Sequence, residues 1–185
     1  YDTYGGDGVT WDMSSGWGGR LLGALSSKKI KKYIGTEPSS KTFEGLLKIK
    51  NDFQYLLTDV ELHKIGSEIF VPKQNSIDLC FTSPPYFDTE KYSDEPTQSY
   101  LKYPTEDKWI SGFLYDTISN CHFGLKNNGY MLINIANTNS SKNIENATMK
   151  ISRDLGLKYE KTLKLTLSSI AGKGHKYEPI FVFKK

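Results

Sequence analysis

Cysteine and histidine are scarce in this sequence, and neither has the spacing that a disulfide framework or a metal site requires. The two cysteines, Cys80 and Cys121, lie far apart and form no Cys-x-x-Cys pair. This spacing argues against a disulfide scaffold and against a structural zinc site. The three histidines, His63, His122 and His175, show no His-x-x-x-His pattern, so we expect no metal site. Isolated cysteines also favour the reducing cytoplasm as the protein's location.

Long apolar stretches are missing as well. No run approaches the ~20 apolar residues that a membrane-spanning helix needs. Residues 1–6 do not combine a basic segment with an apolar one, which is the pattern of a secretory signal. We therefore expect a soluble, cytoplasmic protein without a membrane partner. The chain starts with Tyr1 and not with Met, which suggests a piece of a longer protein.

Size and composition are those of an ordinary globular domain. The 185 residues fall within the usual range of one domain, and a hydrophobic fraction of 37% is enough to form a core. Disordered and low-complexity proteins are thereby excluded. We predict a single domain over residues 1–185. The formal net charge of +3 permits a polyanionic partner without requiring one.

Strand-like and helix-like spacings of apolar residues alternate along the chain. Short extended segments predict seven strands, at 9–12, 33–36, 60–65, 77–82, 129–137, 159–167 and 179–183. Helical spacing predicts helices at 20–25, 43–56 after the start signal Pro38-Ser39-Ser40, 108–120 and 146–155. Residues 83–104 are polar and turn-rich, which is typical of a lid or a binding loop.

This order of elements predicts an α/β fold of the Rossmann-like, doubly wound type, because strands that alternate with helices form parallel βαβ units. The sheet should have seven strands, mostly parallel, with an antiparallel edge made by the last two strands. Ligands of such sheets bind beyond the carboxyl ends of the strands. The unusual loops after the first four strands all lie at that edge, so we expect the functional site there.

The loop after the first strand is rich in glycine and begins at Asp12, with the sequence Asp-Met-Ser-Ser-Gly-Trp-Gly-Gly. A side chain at Gly16 or Gly18 would obstruct a ligand that lies across the strand end, where backbone N–H groups are available. A plain strand-to-helix turn would explain these glycines equally well. Glu37 ends the second strand, where an acidic side chain can accept hydrogen bonds from both hydroxyls of a ribose. The two loops together predict a nucleoside cofactor, and the alternative for Glu37 is a solvated carboxylate before a helix.

The most specific motif is Ser83-Pro84-Pro85-Tyr86, directly after the buried strand 77–82. Two successive prolines stiffen the backbone and fix the directions of the Ser83 side chain and the Pro84 carbonyl. Both can accept a hydrogen bond from one amino group. Tyr86 adds a flat ring, and stacking of a base on such a ring is worth ~1–3 kcal/mol. The alternative is a rigid loop with an exposed aromatic residue.

These motifs, in this order, resemble the amino-methylating DNA methyltransferases, which use S-adenosylmethionine to methylate the exocyclic amine of cytosine or adenine. The resemblance covers most of the chain: residues 12–19 look like the family's cofactor motif, residues 83–86 like its catalytic tetrapeptide and residues 178–183 like its late strand. It implies that the catalytic residues are Ser83, Pro84, Pro85 and Tyr86. It also implies that the cofactor is bound by Asp12, Ser14, Ser15, Gly16, Gly18, Glu37, Ser67 and Ser83.

A serine in the first position of the tetrapeptide is more typical of the family's cytosine-N4 enzymes than of its adenine-N6 enzymes. The resemblance therefore implies methylation of DNA at cytosine N4, as in restriction-modification systems, with adenine N6 as the alternative. RNA or a protein side-chain amide is a further possible substrate. A catalytically silent, nucleic-acid-binding subunit is another reading, because no segment has the size of a target-recognition domain. A separate recognition domain or subunit would then select the DNA sequence.

The chemistry implied for the tetrapeptide follows from the amine. Its lone pair is delocalised into the base, so acceptance of both N–H bonds by Ser83 Oγ and the Pro84 carbonyl would make the nitrogen a better nucleophile and stabilise its growing charge. The base must first be flipped out of the duplex. Lys173, His175 and Lys176, between the last two strands, are the predicted DNA-binding residues, since that loop can project from the ligand edge.

Overall fold

A seven-stranded sheet is the centre of the computed structural model, which describes residues 1–167 and 176–185. The strands are Val9–Asp12 (β1), Lys32–Thr36 (β2), Asp59–His63 (β3), Ile77–Thr82 (β4), Leu125–Asn134 (β5), Lys158–Leu167 (β6) and Lys176–Lys184 (β7). The helices are Gly19–Ser26 (α1), Ser40–Asp52 (α2), Ser99–Lys102 (α3), Glu106–Trp109 (α4), Tyr115–Gly124 (α5) and Ile144–Asp154 (α6). A π-helical turn, Ile110–Leu114, joins α4 to α5.

The strand order is β3-β2-β1-β4-β5-β7-β6. Strands β1 to β5 are parallel, and β7 runs antiparallel between β5 and the edge strand β6. The predicted Rossmann-like, mostly parallel seven-stranded sheet is therefore confirmed. Strand β1 pairs with both β2 and β4, because the chain runs outward from β1 through β2 to β3 and then crosses back to β4 on the other side of β1. A crevice opens at such a switch point, beyond the carboxyl ends of the two strands.

Helices cover both faces of the sheet, as the alternation of side chains along β2 demonstrates. Tyr33 packs with Leu21 and Leu46, which belong to α1 and α2. The next residue, Ile34, belongs to the larger core, which includes Trp109 of α4 and Ile118 of α5. Because successive strand residues point to opposite faces, the two cores lie on opposite sides of the sheet.

Several elements differ from the predicted boundaries for local reasons. The fifth strand was predicted at 129–137 but spans Leu125–Asn134, because the turn-like residues Asn127-Asn128-Gly129 lie inside it. The register with β4 shifts near its start, and Asn128 has a positive φ of 67°. The helix predicted at 108–120 extends from Glu106 to Gly124 through the π-helical turn. The predicted loop 83–104 contains the short helix α3.

The described residues include no helix that is long and apolar enough to cross a membrane.

Candidate cofactor and active site

The glycine loop between β1 and α1 is connected to Glu37 by hydrogen bonds. The N–H of Gly16 donates to Oε2 of Glu37 at 3.0 Å, and the N–H of Ser39 donates to Oε1 at 2.9 Å. Burial of the carboxyl raises the pKa of Glu37, and these two backbone donors oppose that rise. Each carboxylate oxygen retains a lone pair after these bonds. Glu37 can thus accept two further hydrogen bonds from the hydroxyls of a ligand.

Gly16 and Gly18 are required by the backbone of this loop, since their φ values are +53° and +86°. A Cβ at Gly18 would also lie 2.5 Å from Ile49 Cδ1 of α2. Gly18 therefore permits close packing of α2, and this residue, which was predicted to bind the cofactor, is not among those that line the cleft described below.

The Asp12 side chain is completely buried behind the glycine loop. Its Oδ2 accepts hydrogen bonds from Arg20 Nε at 2.9 Å and from the Tyr33 hydroxyl at 2.8 Å, and its Oδ1 accepts one from the Ser14 N–H. Asp12 was predicted to bind the cofactor, but it does not line the cleft because all of these neighbours surround it. It instead holds Arg20, which does line the cleft and was missed in the sequence.

The loop after β3 supplies a second carboxylate that the sequence reasoning missed. Glu68 is buried, forms an ion pair with Lys102, and its Oε2 has no hydrogen-bond partner within residues 1–167 and 176–185. Gly66 leaves room for this carboxylate, because a Cβ there would lie 2.1 Å from Oε2. The neighbouring Ser67 was predicted to bind the cofactor, but its hydroxyl bonds to that of Thr117, away from the cleft.

These loops enclose a cleft of about 420 Å³ at the switch point, which we call the first cleft. Its volume lies in the range of small-molecule sites, roughly 300–1,000 Å³. The lining residues come from every loop that the sequence analysis placed at this edge. They include Ser14, Ser15, Gly16, Trp17, Arg20, Glu37, Pro38, Gly66, Glu68, Ser83 and Pro85.

The loop over residues 83–104 closes one side of the first cleft. Tyr92, Gln98 and Ser99 contribute to its wall. Glu95 attaches this loop to the start of α2, since its carboxylate accepts hydrogen bonds from the N–H of Ser40 at 2.9 Å and from its hydroxyl at 2.7 Å. The segment predicted as a lid or a binding loop therefore contributes one wall of the first cleft.

The tetrapeptide separates the first cleft from a second cleft. Ser83 and Pro85 line the first cleft, whereas Tyr86 lines the second, which has a volume of about 730 Å³ and also includes Asp88, Glu90, Asn137, Tyr177 and Glu178. Pro84 is buried and lines neither cleft. Residues 83–86 thus contribute to the walls of both clefts.

Tyr86 is held by residues at the ends of two other strands. Its hydroxyl lies 3.1 Å from Glu178 Oε2 and 3.4 Å from the carbonyl oxygen of Asn134, and both are hydrogen-bond acceptors. The Asn134 amide donates to the Pro179 carbonyl at 3.0 Å, which ties β5 to β7 at the same place. Tyr86 is 8% exposed. The orientation of Tyr86 is therefore fixed by β5 and β7 together.

The next residue, Phe87, has a φ of +53°, which is unfavourable for a bulky side chain. Such residues cost roughly 1–3 kcal/mol and persist only where the surrounding structure imposes them. Phe87 is buried, and its ring packs edge-on against Trp109 with centroids 6.3 Å apart. The unfavourable φ of Phe87 therefore indicates that the packing around this residue fixes the direction of the chain after Pro85.

The predicted DNA-binding residues are only partly covered by the structure. Lys173 and His175 lie outside the described residues, and Lys176 begins β7. Strands β6 and β7 extend beyond the last pair of β5 with β7, Asn134 with Ile180, so their ends project at the edge that carries both clefts. Within 1–167 and 176–185, no group of three or more His, Cys, Asp or Glu residues is arranged to hold a metal ion.

The sequence matches a known protein family. The family model for DNA methylases of the N6/N4 type matches residues 77–185, more than half of the chain. The chain belongs to the N6/N4 DNA methylase family. The matched range starts at β4 and includes the tetrapeptide, so the suspected amino-methylating family is confirmed. A comparison with curated proteins finds no match.

Solved structures of other methyltransferases share the fold of this methylase. Geranyl diphosphate C-methyltransferase from Streptomyces coelicolor A3(2), in complex with S-adenosyl-L-homocysteine, is similar with a TM-score of 0.65 and 12% identity over 97% of this chain and 72% of that chain. A SAM-dependent methyltransferase from Aquifex aeolicus gives a TM-score of 0.64 and 14% identity over 98% and 84%. One from Methanosarcina mazei gives 0.63 and 12% over 97% and 93%. At these identities the likeness concerns the fold.

The methylase is an S-adenosylmethionine-dependent methyltransferase, and S-adenosylmethionine is its cofactor. The first cleft fits this cofactor chemically. The two free lone pairs of Glu37 suit a ribose, and the unpartnered buried Oε2 of Glu68 suits a nitrogen donor. When bound, the cofactor supplies a methyl group on a positively charged sulfur.

Proposed function

We propose that this methylase transfers a methyl group to the exocyclic amine of a base flipped out of DNA, at N4 of cytosine. The observation that carries the proposal is the position of Ser83-Pro84-Pro85-Tyr86 between the two clefts. The first cleft would hold the cofactor and the second would receive the base. The family match supports a DNA substrate, and the serine in the first position of the tetrapeptide favours cytosine over adenine.

In this proposal Ser83 Oγ, in the wall of the first cleft, accepts one N–H bond of the target amine, and the carbonyl of the buried Pro84 would accept the other once the base reaches the tetrapeptide. These contacts would localise the lone pair on nitrogen and aim it at the first cleft, and they would stabilise the positive charge that develops there. The prolines hold both acceptors in place before the base arrives, so little reorganisation is needed. A strong general base is not required, because the amine becomes acidic once it is alkylated.

Tyr86 would support one face of the flipped base from the wall of the second cleft. Its low exposure and its bond to Glu178 favour a fixed platform over a mobile side chain. A fixed ring loses less conformational entropy when a base stacks on it. Base flipping costs a few kcal/mol, and stacking of ~1–3 kcal/mol would offset part of that cost.

The other predicted site residues would bind either the cofactor or the DNA. Ser14, Ser15, Gly16, Glu37 and Ser83 would bind the cofactor in the first cleft. Lys173, His175 and Lys176 would contact DNA phosphates. Residues 1–185 would constitute the catalytic domain, and a separate recognition domain or subunit would select the DNA sequence.

A methyl-transfer assay tests this proposal directly. The chain is incubated with duplex DNA and S-adenosylmethionine carrying a labelled methyl group, beside the Ser83→Ala variant. We expect label in DNA with the unaltered chain and a large loss with Ser83→Ala at unchanged cofactor affinity. Label in RNA or protein but not in DNA would contradict the substrate, and cofactor binding without any transfer would favour a catalytically silent subunit.

A further inference from the structure

We propose that Arg20 binds the carboxylate at the amino-acid end of S-adenosylmethionine and so orients the cofactor along the first cleft. The inference depends on the first cleft being the cofactor site, but it does not depend on which substrate receives the methyl group. No motif in the sequence suggested this role for Arg20.

The charges of the cleft lead to this residue. S-adenosylmethionine carries two positive groups, the sulfonium and the α-ammonium, and one negative group, the carboxylate. Among the described residues that line the first cleft, the charged ones are Arg20, Glu37 and Glu68. Arg20 is thus the one cation available in that wall for the one anionic group of the cofactor. The two carboxylates complement the excess positive charge of the cofactor.

The geometry of Arg20 suits this role. Its Nε donates to Asp12 at 2.9 Å, and one terminal nitrogen donates to the carbonyl of Ser14, which itself belongs to the glycine loop. A guanidinium has five N–H donors, so these two bonds leave three others for a ligand. The Arg20 side chain remains 23% exposed, whereas Asp12 is completely buried. Asp12 therefore anchors the guanidinium from behind, and the remaining donors can meet a carboxylate, which a planar guanidinium binds well.

This arrangement also explains why the first strand ends in a buried aspartate. A lone arginine in a half-enclosed wall would change its rotamer readily, whereas one that is fixed by Asp12 and Ser14 presents its free edge in a constant direction. Asp12 acts here as a positioning residue through Arg20, and it does not contact the cofactor.

The test compares ligands with and without the carboxylate. Affinities of S-adenosylmethionine and of decarboxylated S-adenosylmethionine, which keeps both positive groups, are measured by calorimetry without DNA. The proteins are the unaltered chain, the Arg20→Gln variant, and the Asp12→Asn/Arg20→Gln double variant, which avoids an unpaired buried charge. Lys29→Gln serves as a control, because it removes a cation that is paired with Asp7 on the exposed surface.

We expect the unaltered chain to bind the decarboxylated ligand about 10- to 100-fold more weakly than S-adenosylmethionine, the range of one charged hydrogen-bonded contact. The double variant should lose about the same factor for S-adenosylmethionine and retain its affinity for the decarboxylated ligand within about two-fold. Lys29→Gln should bind both ligands normally.

Equal losses for both ligands in the double variant would overturn the proposal, because they would mean that Arg20 supports only the fold. Equal affinities of the two ligands for the unaltered chain would overturn it as well, and so would a failure of S-adenosylmethionine to bind. Normal binding with the predicted ligand preference, but no methylation of DNA, would contradict the proposed function and leave the role of Arg20 intact.

Discussion

The hydroxyl of Tyr86 donates a hydrogen bond to the carboxylate of Glu178 at 3.1 Å, although 92 positions separate the two residues in the chain. Burial, the largest influence, raises the pKa of Tyr86, so the hydroxyl stays protonated and remains a donor. The contact joins the tetrapeptide after β4 to the start of β7. Strand β7 therefore has two roles: it completes the sheet, and its residue Glu178 holds the Tyr86 ring at the second cleft.

The first prediction concerns this bond. Tyr86→Phe keeps the ring but removes the hydroxyl, so it should lower the rate of methyl transfer by about ten-fold, near the lower limit for a hydrogen bond to a charged group. Tyr86→Ala should reduce the rate further because the stacking surface is lost. Cofactor affinity should stay unchanged in both variants. The measurement is single-turnover transfer to DNA beside calorimetry with S-adenosylmethionine.

Glu178 provides the matched control for that experiment. Glu178→Gln retains a carbonyl acceptor and should keep more activity than Glu178→Ala, which leaves the Tyr86 hydroxyl without this partner. If Glu178→Ala and Tyr86→Phe were both fully active, the bond would have no part in placing the base.

The second prediction concerns Glu37. Glu37→Ala should weaken cofactor binding by roughly 1.5–3 kcal/mol, because a charged acceptor of hydroxyl hydrogen bonds is lost. Glu44→Gln, on the exposed side of α2, is the control and should bind normally. Calorimetry measures both. An unchanged affinity of Glu37→Ala would remove this residue from the cofactor site.

The pH dependence of cofactor binding gives a third prediction. Burial raises the pKa of Glu37 in the free protein, whereas hydroxyl donors of a bound ribose would favour its ionised form and lower that pKa again. Affinity should therefore fall as the pH is lowered from neutrality through the raised pKa, and binding should release protons in that range. Calorimetry in buffers of different ionisation enthalpy detects the proton release. Glu37→Gln should show neither effect, and a pH response that persists in this variant would assign it to another group.

The fourth prediction concerns stability. Asp12→Ala removes the partner of Arg20 in a largely buried ion pair, and such a loss typically costs ~3–5 kcal/mol. The midpoint of denaturant unfolding should fall accordingly without a change in slope. Asp7→Asn, which removes the charge of the exposed partner of Lys29 and keeps a side chain that tolerates the positive φ at this position, should change stability by less than about 1 kcal/mol. Equal small effects of both changes would mean that Asp12 and Arg20 do not act as a buried pair.

Elements whose structure depends on residues close together in the sequence could be predicted from it. The near-continuous apolar run of β4 and the two prolines after it act locally, so that strand and the tetrapeptide could be predicted. The bounds of β5 could not, because its turn-like residues lie where the pairing with β4 is irregular, and hydrogen bonds of Asn128 and Gly129 to the backbone of Lys185 hold them there.

The parts of the site that were missed depend on distant contacts. Glu68 directly follows Ser67, which was predicted to bind the cofactor, but only the fold shows that the Glu68 carboxylate lines the cleft while the Ser67 hydroxyl bonds to Thr117. Arg20 gave no signal in the sequence, because its role depends on the buried Asp12 behind it. Glu178 was missed because its contact with Tyr86 joins two residues that lie 92 positions apart in the sequence.

The central claim is methylation of a DNA amine, with cytosine N4 as the target, and mass analysis of nucleosides tests it most directly. DNA is treated with the chain and S-adenosylmethionine, digested to nucleosides and compared with DNA treated with Ser83→Ala. We predict N4-methyl-2′-deoxycytidine with the unaltered chain and strongly reduced product with the variant. N6-methyl-2′-deoxyadenosine alone would contradict the choice of base. The absence of any methylated nucleoside, with the cofactor bound and the native recognition partner present, would contradict the proposed function.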